Sequence, residues 1–232
     1  MATDILSVES LSLTYRVRQG LFSSSKVPAL KDLNFSIQEG ETLGVVGRNG
    51  SGKSTLLRVL AGIYRPDAGK ITSSADSVAL MTLTLGMDPA LSGRDNALFG
   101  GMLLGFSRHE VLLQVDAIKD FSGLGDSFEA PVKSYSSGMV ARLSFAVAIN
   151  LSPDVMLLDE VLAVGDEAFR KQAYDAMLSK IKSDQTTVFV SHSAAEIERL
   201  CDRALLLDQG ELLYSGSPEA VISEYRKLLQ HD

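Results

Sequence analysis

One cysteine, Cys201, stands among 232 residues, and a lone thiol cannot form an internal disulfide. It follows Leu200 in an apolar helical pattern, where a buried, inert thiol is expected rather than a nucleophile. Long apolar runs are missing too, since no stretch approaches the ~20 residues of a membrane-spanning helix. The start, Met1-Ala2-Thr3-Asp4, lacks the basic and apolar regions of a signal peptide, so a soluble, cytosolic chain is expected. Basic charge is in deficit. There are 22 Lys and Arg against 29 Asp and Glu, a net charge of −7. Nucleic-acid binders show the opposite, a basic footprint, so no nucleic-acid partner is expected. Neither an internal repeat nor a low-complexity tract is present. What remains, 45% apolar and 22% charged, is ordinary for a globular protein, and the length suits one α/β domain with a sizeable core.

The most informative stretch is Gly47-Arg48-Asn49-Gly50-Ser51-Gly52-Lys53-Ser54-Thr55, which satisfies the pattern G-x-x-x-x-G-K-[ST]. Residues 42–46 before it read as a short buried parallel strand. After it, Leu56, Leu57, Val59 and Leu60 fall on one side of a helix that Gly62 can end. Strand, glycine loop and helix is the context in which this pattern cradles phosphate. Gly47, Gly50 and Gly52 let backbone N–H groups turn inward around an anion, with no Cβ in the way. The helix N-terminus adds its partial positive charge. Lys53 is placed to reach the β- and γ-phosphates, and the Ser54 hydroxyl to hold a magnesium ion. The expectation is a bound nucleoside triphosphate.

Residues 5–15 alternate as a strand that ends on Tyr15, ahead of the glycine loop. An aromatic there either stacks on a purine, a contact worth about 1–3 kcal/mol, or caps the core. Residues 16–26 read as a polar loop whose Arg16, Arg18 and Lys26 face either solvent or a membrane surface. Residues 33–37 form a second strand before the turn at Glu39-Gly40, and Ile71 and residues 78–80 mark further short strands. Apolar spacing is helical from 92 to 120, broken near Gly105, and residues 123–133 read as a linker containing Pro131.

Next come Ser134-Tyr135-Ser136-Ser137-Gly138-Met139 and a helical run over 140–150. Ser136, Ser137 and Gly138 at that helix start make either a second anion-ready terminus or a plain cap. Residues 155–158 form an apolar strand finishing in Asp159-Glu160. Two carboxylates at the C-terminal end of a parallel strand sit where open α/β sheets bind ligands. Asp159 is suited to hold magnesium, directly or through water, and Glu160 to orient and deprotonate an attacking water. The plainer alternative is a solvated strand end with a helix cap. Residues 187–191 form a strand ending at His192, which is placed to sense a γ-phosphate. His109 and His231 lack such a setting and are expected at the surface. Residues 205–207 and 212–214 flank a turn as a hairpin, and Pro218 opens a final helix.

These pieces, in this order, resemble the ATPase subunit of ABC transporters over nearly the whole chain. Residues 47–55 look like the Walker A loop, and Tyr15 falls where the adenine-stacking aromatic is expected. Residues 135–139 stand in the signature position, and residues 156–160 look like Walker B with its catalytic glutamate, Glu160. Val164-Gly165-Asp166 matches the D-loop and His192 the switch histidine. The signature reads Tyr-Ser-Ser-Gly-Met rather than Leu-Ser-Gly-Gly-Gln. With residues 159–166 and Pro89-Ala90-Leu91-Ser92-Gly93-Arg94-Asp95-Asn96, this is similar to the branch that exports surface polysaccharides: capsule, O-antigen and teichoic-acid systems. The resemblance implies an α/β P-loop NTPase of the ABC ATPase type, with an N-terminal antiparallel β region and a helical subdomain. A single domain over 1–232 is expected, its helical subdomain at about 88–150. Some members add a C-terminal carbohydrate-binding domain; this chain resembles the short, capsule-type arrangement without one.

The resemblance also implies a mechanism. Two copies form a homodimer, head to tail, and close over two ATP molecules with Mg2+. Each nucleotide lies between Lys53 of one copy and Ser136 with the Gly138 N–H of the other, and Asp166 connects the two sites. Catalytic roles fall to Glu160, His192 and Lys53. Hydrolysis drives a separate transmembrane permease dimer, docked near residues 83–106, with the chain peripheral on the cytoplasmic side of the bacterial inner membrane. One departure stands out. Residues 79–86 lack the glutamine that usually links the metal site to the membrane partner, and Thr82 or Thr84 stands near its place. Two further readings stay open: an ABC transporter ATPase for another cargo, and a soluble ABC-type ATPase acting on ribosomes or DNA. Only the signature variant separates polysaccharide from other cargo, while one domain, no heptad insertion and the acidic balance count against the soluble reading.

Overall fold

The computed structural model describes residues 3–18, 24–81, 86–159 and 166–230. Two compact units make up the chain, residues 1–76 with 184–232 and residues 77–183.

In the first unit, β1 (Asp4–Arg18) pairs antiparallel with β2 (Ser24–Gln38) on one side and β4 (Ala68–Ser73) on the other. Leu6, Val8, Leu11 and Leu13 of β1 and Leu30, Leu33 and Ile37 of β2 are buried, the inward half of an alternating pattern. The β1–β2 register slips between Val8 and Leu11. Near the slip, Ser10 and Asp32 both take φ 48°. Side chains satisfy the backbone there: the Ser10 N–H donates to Asn34 Oδ1 at 2.8 Å and the Asp32 N–H to Ser12 Oγ at 3.0 Å. Such bulges add twist and re-aim a strand, here the stretch that carries Tyr15. The polar stretch expected as a loop continues this ladder instead, with Tyr15 opposite Val27 and Arg16 opposite Lys26. Arg16 and Lys26 are exposed, so their charge costs the strand nothing, and composition alone misread them. Residues 19–23 of that stretch lie outside the described residues.

A second sheet in this unit has β3 (Thr42–Gly47) running parallel between β7 (Thr186–Val190) and β8 (Arg203–Asp208). β9 (Glu211–Gly216) returns antiparallel along β8, as the hairpin pattern implied. Every residue of β3 and of β7 is buried, the continuous burial of strands covered on both faces. Helices α1 (Lys53–Leu60), α6 (Ala194–Leu200) and α7 (Pro218–Gln230) belong to this unit. Gly44 lets α6 close on β3, because a Cβ there would stand 2.9 Å from Cys201 Sγ and 3.1 Å from Ile197 Cδ1. Burial, with Asp202 and Glu196 adding to it, pushes the Cys201 thiol up to about 12, which keeps it protonated and inert. At the foot of β3 the buried Glu41 carboxylate accepts from Arg203 Nε at 2.7 Å and from the Gln38 N–H at 2.8 Å. A buried carboxylate needs such partners.

In the second unit, β5 (Val78–Met81) runs parallel to β6 (Val155–Asp159). Helices α2 (Gly93–Leu103), α3 (Arg108–Ser122) and α4 (Ser137–Asn150) enclose an apolar cluster that includes Ala97, Val111, Ile118, Leu143 and Val147. Each starts on a serine, Ser92, Ser107 or Ser136, whose side chain accepts an amide of the first turn. Buried Asn96 fixes the approach to α2, accepting from the Asp88 N–H at 2.8 Å and donating to the Ser92 carbonyl at 2.9 Å. The expected linker over 123–133 is instead part of the core. It holds two 3-10 turns, Gly125–Glu129 and Val132–Ser134, and buries Leu124, Phe128 and Val132 in the same cluster. Turns this short carry neither a strand nor a helix period, so their apolar residues gave no periodic signal. Helix α5 (Glu167–Ile181) buries Phe169, Ala173, Met177 and Ile181, all spaced by four along one face. Among the described residues no helix is long and apolar enough to cross a membrane.

Candidate functional site

The loop between β3 and α1 is shaped by its glycines. A Cβ on Gly47 would lie 2.0 Å from the Leu207 carbonyl oxygen and 2.6 Å from Ser51 Oγ. Gly52 takes φ +106°, and a Cβ there would lie 2.7 Å from the Ala29 carbonyl oxygen. Gly52 is also the N-cap of α1, so no side chain caps that helix and its first-turn amides stay available to another acceptor. Lys53 is only 7% exposed, and its ammonium donates to the carbonyls of Gly47 and Arg48, each at 2.8 Å. The Ser51 hydroxyl is buried and has no hydrogen-bond partner among the described residues. Arg48 Nη2 donates to the Leu228 carbonyl at 2.5 Å and ties the loop to the last turn of α7. Asn49 and Gly50 are exposed, and Ser54 is half-buried in the first turn of α1.

This donor set fits a phosphate chain. It offers amides, an orphan hydroxyl and an ammonium, and glycine clears the approach. The Ser54 hydroxyl is a hard oxygen of the kind Mg2+ accepts. Tyr15 is half-buried beside α1: its hydroxyl shares a hydrogen bond with Thr55 Oγ1 at 3.0 Å, and its ring meets Tyr64 edge-on at 5.9 Å. His192 follows β7 and is exposed; His109 is exposed as well.

In the second unit, β6 buries residues 155–158 and carries Asp159, half-buried, at its C-terminal end. Ser136 caps α4 by accepting from the Met139 N–H at 3.2 Å, so the plain capping role is real. Tyr135 anchors that start by donating its hydroxyl to the Ser127 carbonyl at 2.6 Å, and burial raises its pKa. A cleft of about 480 Å³ opens beside the α4 N-terminus, lined by Ser136, Gly138, Met139, Arg142 and Asp166 among others. Ser137 is exposed next to Ser136. Asp166 caps α5, accepting from the Phe169 N–H at 3.0 Å, and pairs with Arg142. The Phe169 amide first, and Arg142 second, hold its carboxyl below the ordinary carboxylate range.

The structure thus gathers Tyr15 and the expected residues among 47–55 in the first unit, and Ser136, Gly138 and Asp166 around one cleft in the second. Sequence reasoning missed Arg142 and the Tyr15–Thr55 contact, whose partners are 24 and 40 residues apart. Glu160, Val164, Gly165, Thr82, Thr84 and His231 lie outside the described residues.

Comparison with known proteins gives this geometry a family. The family described as "ABC transporter" matches residues 30–163, more than half of the chain. The chain is 47% identical over 202 residues to the ABC transporter protein AbcA of Aeromonas salmonicida, covering 87% of this chain and 65% of that protein. It is 37% identical over 209 residues to the O-antigen export system ATP-binding protein RfbB of Klebsiella pneumoniae, covering 90% and 85%. Other curated relatives, named for O-antigen or teichoic acids export, are spanned over only about half of their length, 47% and 54% in two cases. Among solved structures, the dimeric ATP-binding cassette MJ0796 bound to ADP and Pi superposes with a TM-score of 0.72 at 20% identity, covering 92% of this chain and 98% of that one. That likeness bears out the α/β cassette fold expected from the sequence. With the family matched over more than half of the chain and 85% of RfbB covered at 37% identity, the chain belongs to the ABC transporter family.

Proposed function

We propose that this chain is the ATP-binding and ATP-hydrolysing subunit that powers export of a lipid-linked surface polysaccharide through a separate permease. The observation that carries the cargo is the extended identity to an O-antigen export ATP-binding protein. The chemistry rests on the glycine loop, with buried Lys53 and the uncapped α1. In this reading residues 1–232 act as a single ATPase domain with a helical subdomain at about 88–150.

Lys53 binds the β- and γ-phosphates, and the amides of residues 49–55 surround them. Bound Mg2+, held by Ser54 and Asp159, supplies charge neutralisation on the phosphate oxygens. Glu160 orients and deprotonates the attacking water, and His192 senses the γ-phosphate. Tyr15 stacks its ring on the adenine. Two copies close head to tail over two ATP molecules, with Ser136, Ser137 and the Gly138 N–H of each facing the nucleotide of the other and Asp166 linking the sites. The division is reasonable, because neither copy alone surrounds the γ-phosphate with donors. A permease dimer docks near residues 83–106, where Phe99, Met102 and Leu103 are exposed on α2, and the chain lies on the cytoplasmic side of the membrane.

Glu160→Gln tests both halves of the reading. The purified variant is expected to bind ATP and stay dimeric while turnover falls about 10²–10⁴-fold. In the native host, lipid-linked polysaccharide should accumulate on the cytoplasmic side and leave the surface bare. Wild-type hydrolysis by the variant would remove Glu160 as the base. A normal surface, with turnover lost, would redirect the search to another cargo.

A further inference from the structure

Arg142 has no role in the mechanism above, yet it joins three elements of the second unit. From the second turn of α4 its guanidinium pairs with Asp166 and lies 5.1 Å from the centroid of the Phe169 ring. Its Nη1 stands 3.3 Å from the place a Cβ on Gly123 would occupy, and Gly123 ends α3 with φ +63°. Beneath it Phe121 of α3, Phe145 of α4 and Phe169 of α5 pack together, with ring centroids 5.9–6.0 Å apart. The guanidinium therefore closes the top of an aromatic junction where the end of α3, the body of α4 and the start of α5 meet.

Both oxygens of the Asp166 carboxylate are committed, Oδ1 to the Phe169 N–H and Oδ2 to Arg142. The side chains are 26% and 58% exposed, and an exposed ion pair contributes little stability by itself. Its effect is geometric. A planar guanidinium fixed by a ring on one side and a carboxylate on the other has few orientations left, and so has the carboxylate it holds. Ser136 and Gly138 line the same cleft as Arg142 and Asp166.

We propose that Arg142 is a positioning residue, which holds Asp166 and the start of α5 in fixed relation to Ser136 and Gly138. This rests on the proposed function, in which those three groups face the nucleotide and partner of the opposite copy. Arg142 sets them before closure, so closing two copies does not have to order them. Without it, Asp166 caps α5 more loosely and its released oxygen wanders, and a small misplacement in a preorganised site costs up to about a hundredfold in rate.

The test uses the full chain with Arg142→Met, Asp166→Asn and the double variant. Either single change is expected to lower kcat for ATP by about 10–100-fold, with KM within about twofold, because Arg142 belongs neither to the phosphate loop nor to its helix. The double variant should be no worse than the worse single one, the mark of a coupled pair. Without nucleotide, the Phe169 amide should exchange faster in both single variants. In a Glu160→Gln background, ATP-driven dimerisation followed by light scattering should weaken with Arg142→Met. Losses that multiply in the double variant, or a kcat for Arg142→Met within twofold of wild type, would overturn the inference while leaving the ATPase intact. If Arg142→Met fails to fold, Arg142→Lys, which keeps the charge but not the planar fork, takes its place in the same cycle. A wild-type chain without ATP turnover would instead bring down the proposed function, and this inference with it.

Discussion

Lys53→Met is expected to lower ATP turnover on the order of 10²–10³-fold, the loss typical of removing one aimed donor from a charged transition state. Methionine keeps the stem and its packing but not the ammonium. Two effects then separate. The carbonyls of Gly47 and Arg48 lose a charged donor at 2.8 Å, which costs about 1–3 kcal/mol if they stay dry. At ~2–4 °C per kcal/mol for a chain of this size, the nucleotide-free variant should melt a few degrees lower. The larger signature is the vanished response to ligand. Wild type with ATP at about a hundred times its dissociation constant gains about 2.7 kcal/mol, and the variant should gain close to nothing. Thermal melts with and without MgATP, beside a phosphate-release assay, read both. A variant melting with the full ATP-induced rise would show that Lys53 adds nothing to binding.

Gly47→Ala is expected to damage the fold more than any other single methyl added to the loop. The new Cβ would sit 2.0 Å from a backbone oxygen, that of Leu207, which no side-chain rotation can move aside. Gly47 and Leu207 are partners at the end of the β3–β8 ladder, so the ladder must part there. Overpacking usually costs about 1–3 kcal/mol and more where backbone must shift, so a loss at or above the top of that range is expected. Gly50→Ala is the control. Gly50 takes φ +78° with nothing within 4 Å of an added Cβ, leaving only the left-handed backbone penalty of about 1–2 kcal/mol. Urea midpoints of the two variants should differ clearly, with Gly47→Ala the lower. Equal midpoints would mean that β8 gives way at little cost.

What could be read from the chain follows the range of the interactions. The phosphate loop is nine contiguous residues whose backbone demands glycine, so its pattern survives in one dimension. Helix starts at Ser92 and Ser136 were legible for the same reason, since a cap lies within three residues of its amide, whereas the restart at Ser107 showed only as a break near Gly105. The apolar runs of β3 and β7 announced buried strands, but their adjacency joins residues about 145 positions apart and left no local trace. Arg16 and Lys26 looked like loop because strand ends in water tolerate charge. Leu124, Phe128 and Val132 looked like linker because 3-10 turns have no amphipathic period. The Arg142–Asp166 pair was invisible for a simpler reason: each residue alone is an ordinary surface charge, and only the fold brings them together.

The seating of Cys201 against β3 makes the protein its own chemical clock. With burial raising the thiol far above its ordinary value, little thiolate is present at pH 7, and the sulfur stands 2.9 Å from the place a Cβ on Gly44 would occupy. Maleimide should therefore leave the native wild-type chain almost unlabelled. An introduced cysteine on the exposed face of α2, at Leu103 for example, would carry a probe alone. The slow residual labelling of Cys201, half-buried at the C-cap of α6, then sets an upper bound on how often α6 lifts from the strand that feeds the phosphate loop. Mass spectrometry of timed aliquots would give that bound, and complete labelling within seconds would mean that α6 is not held as described.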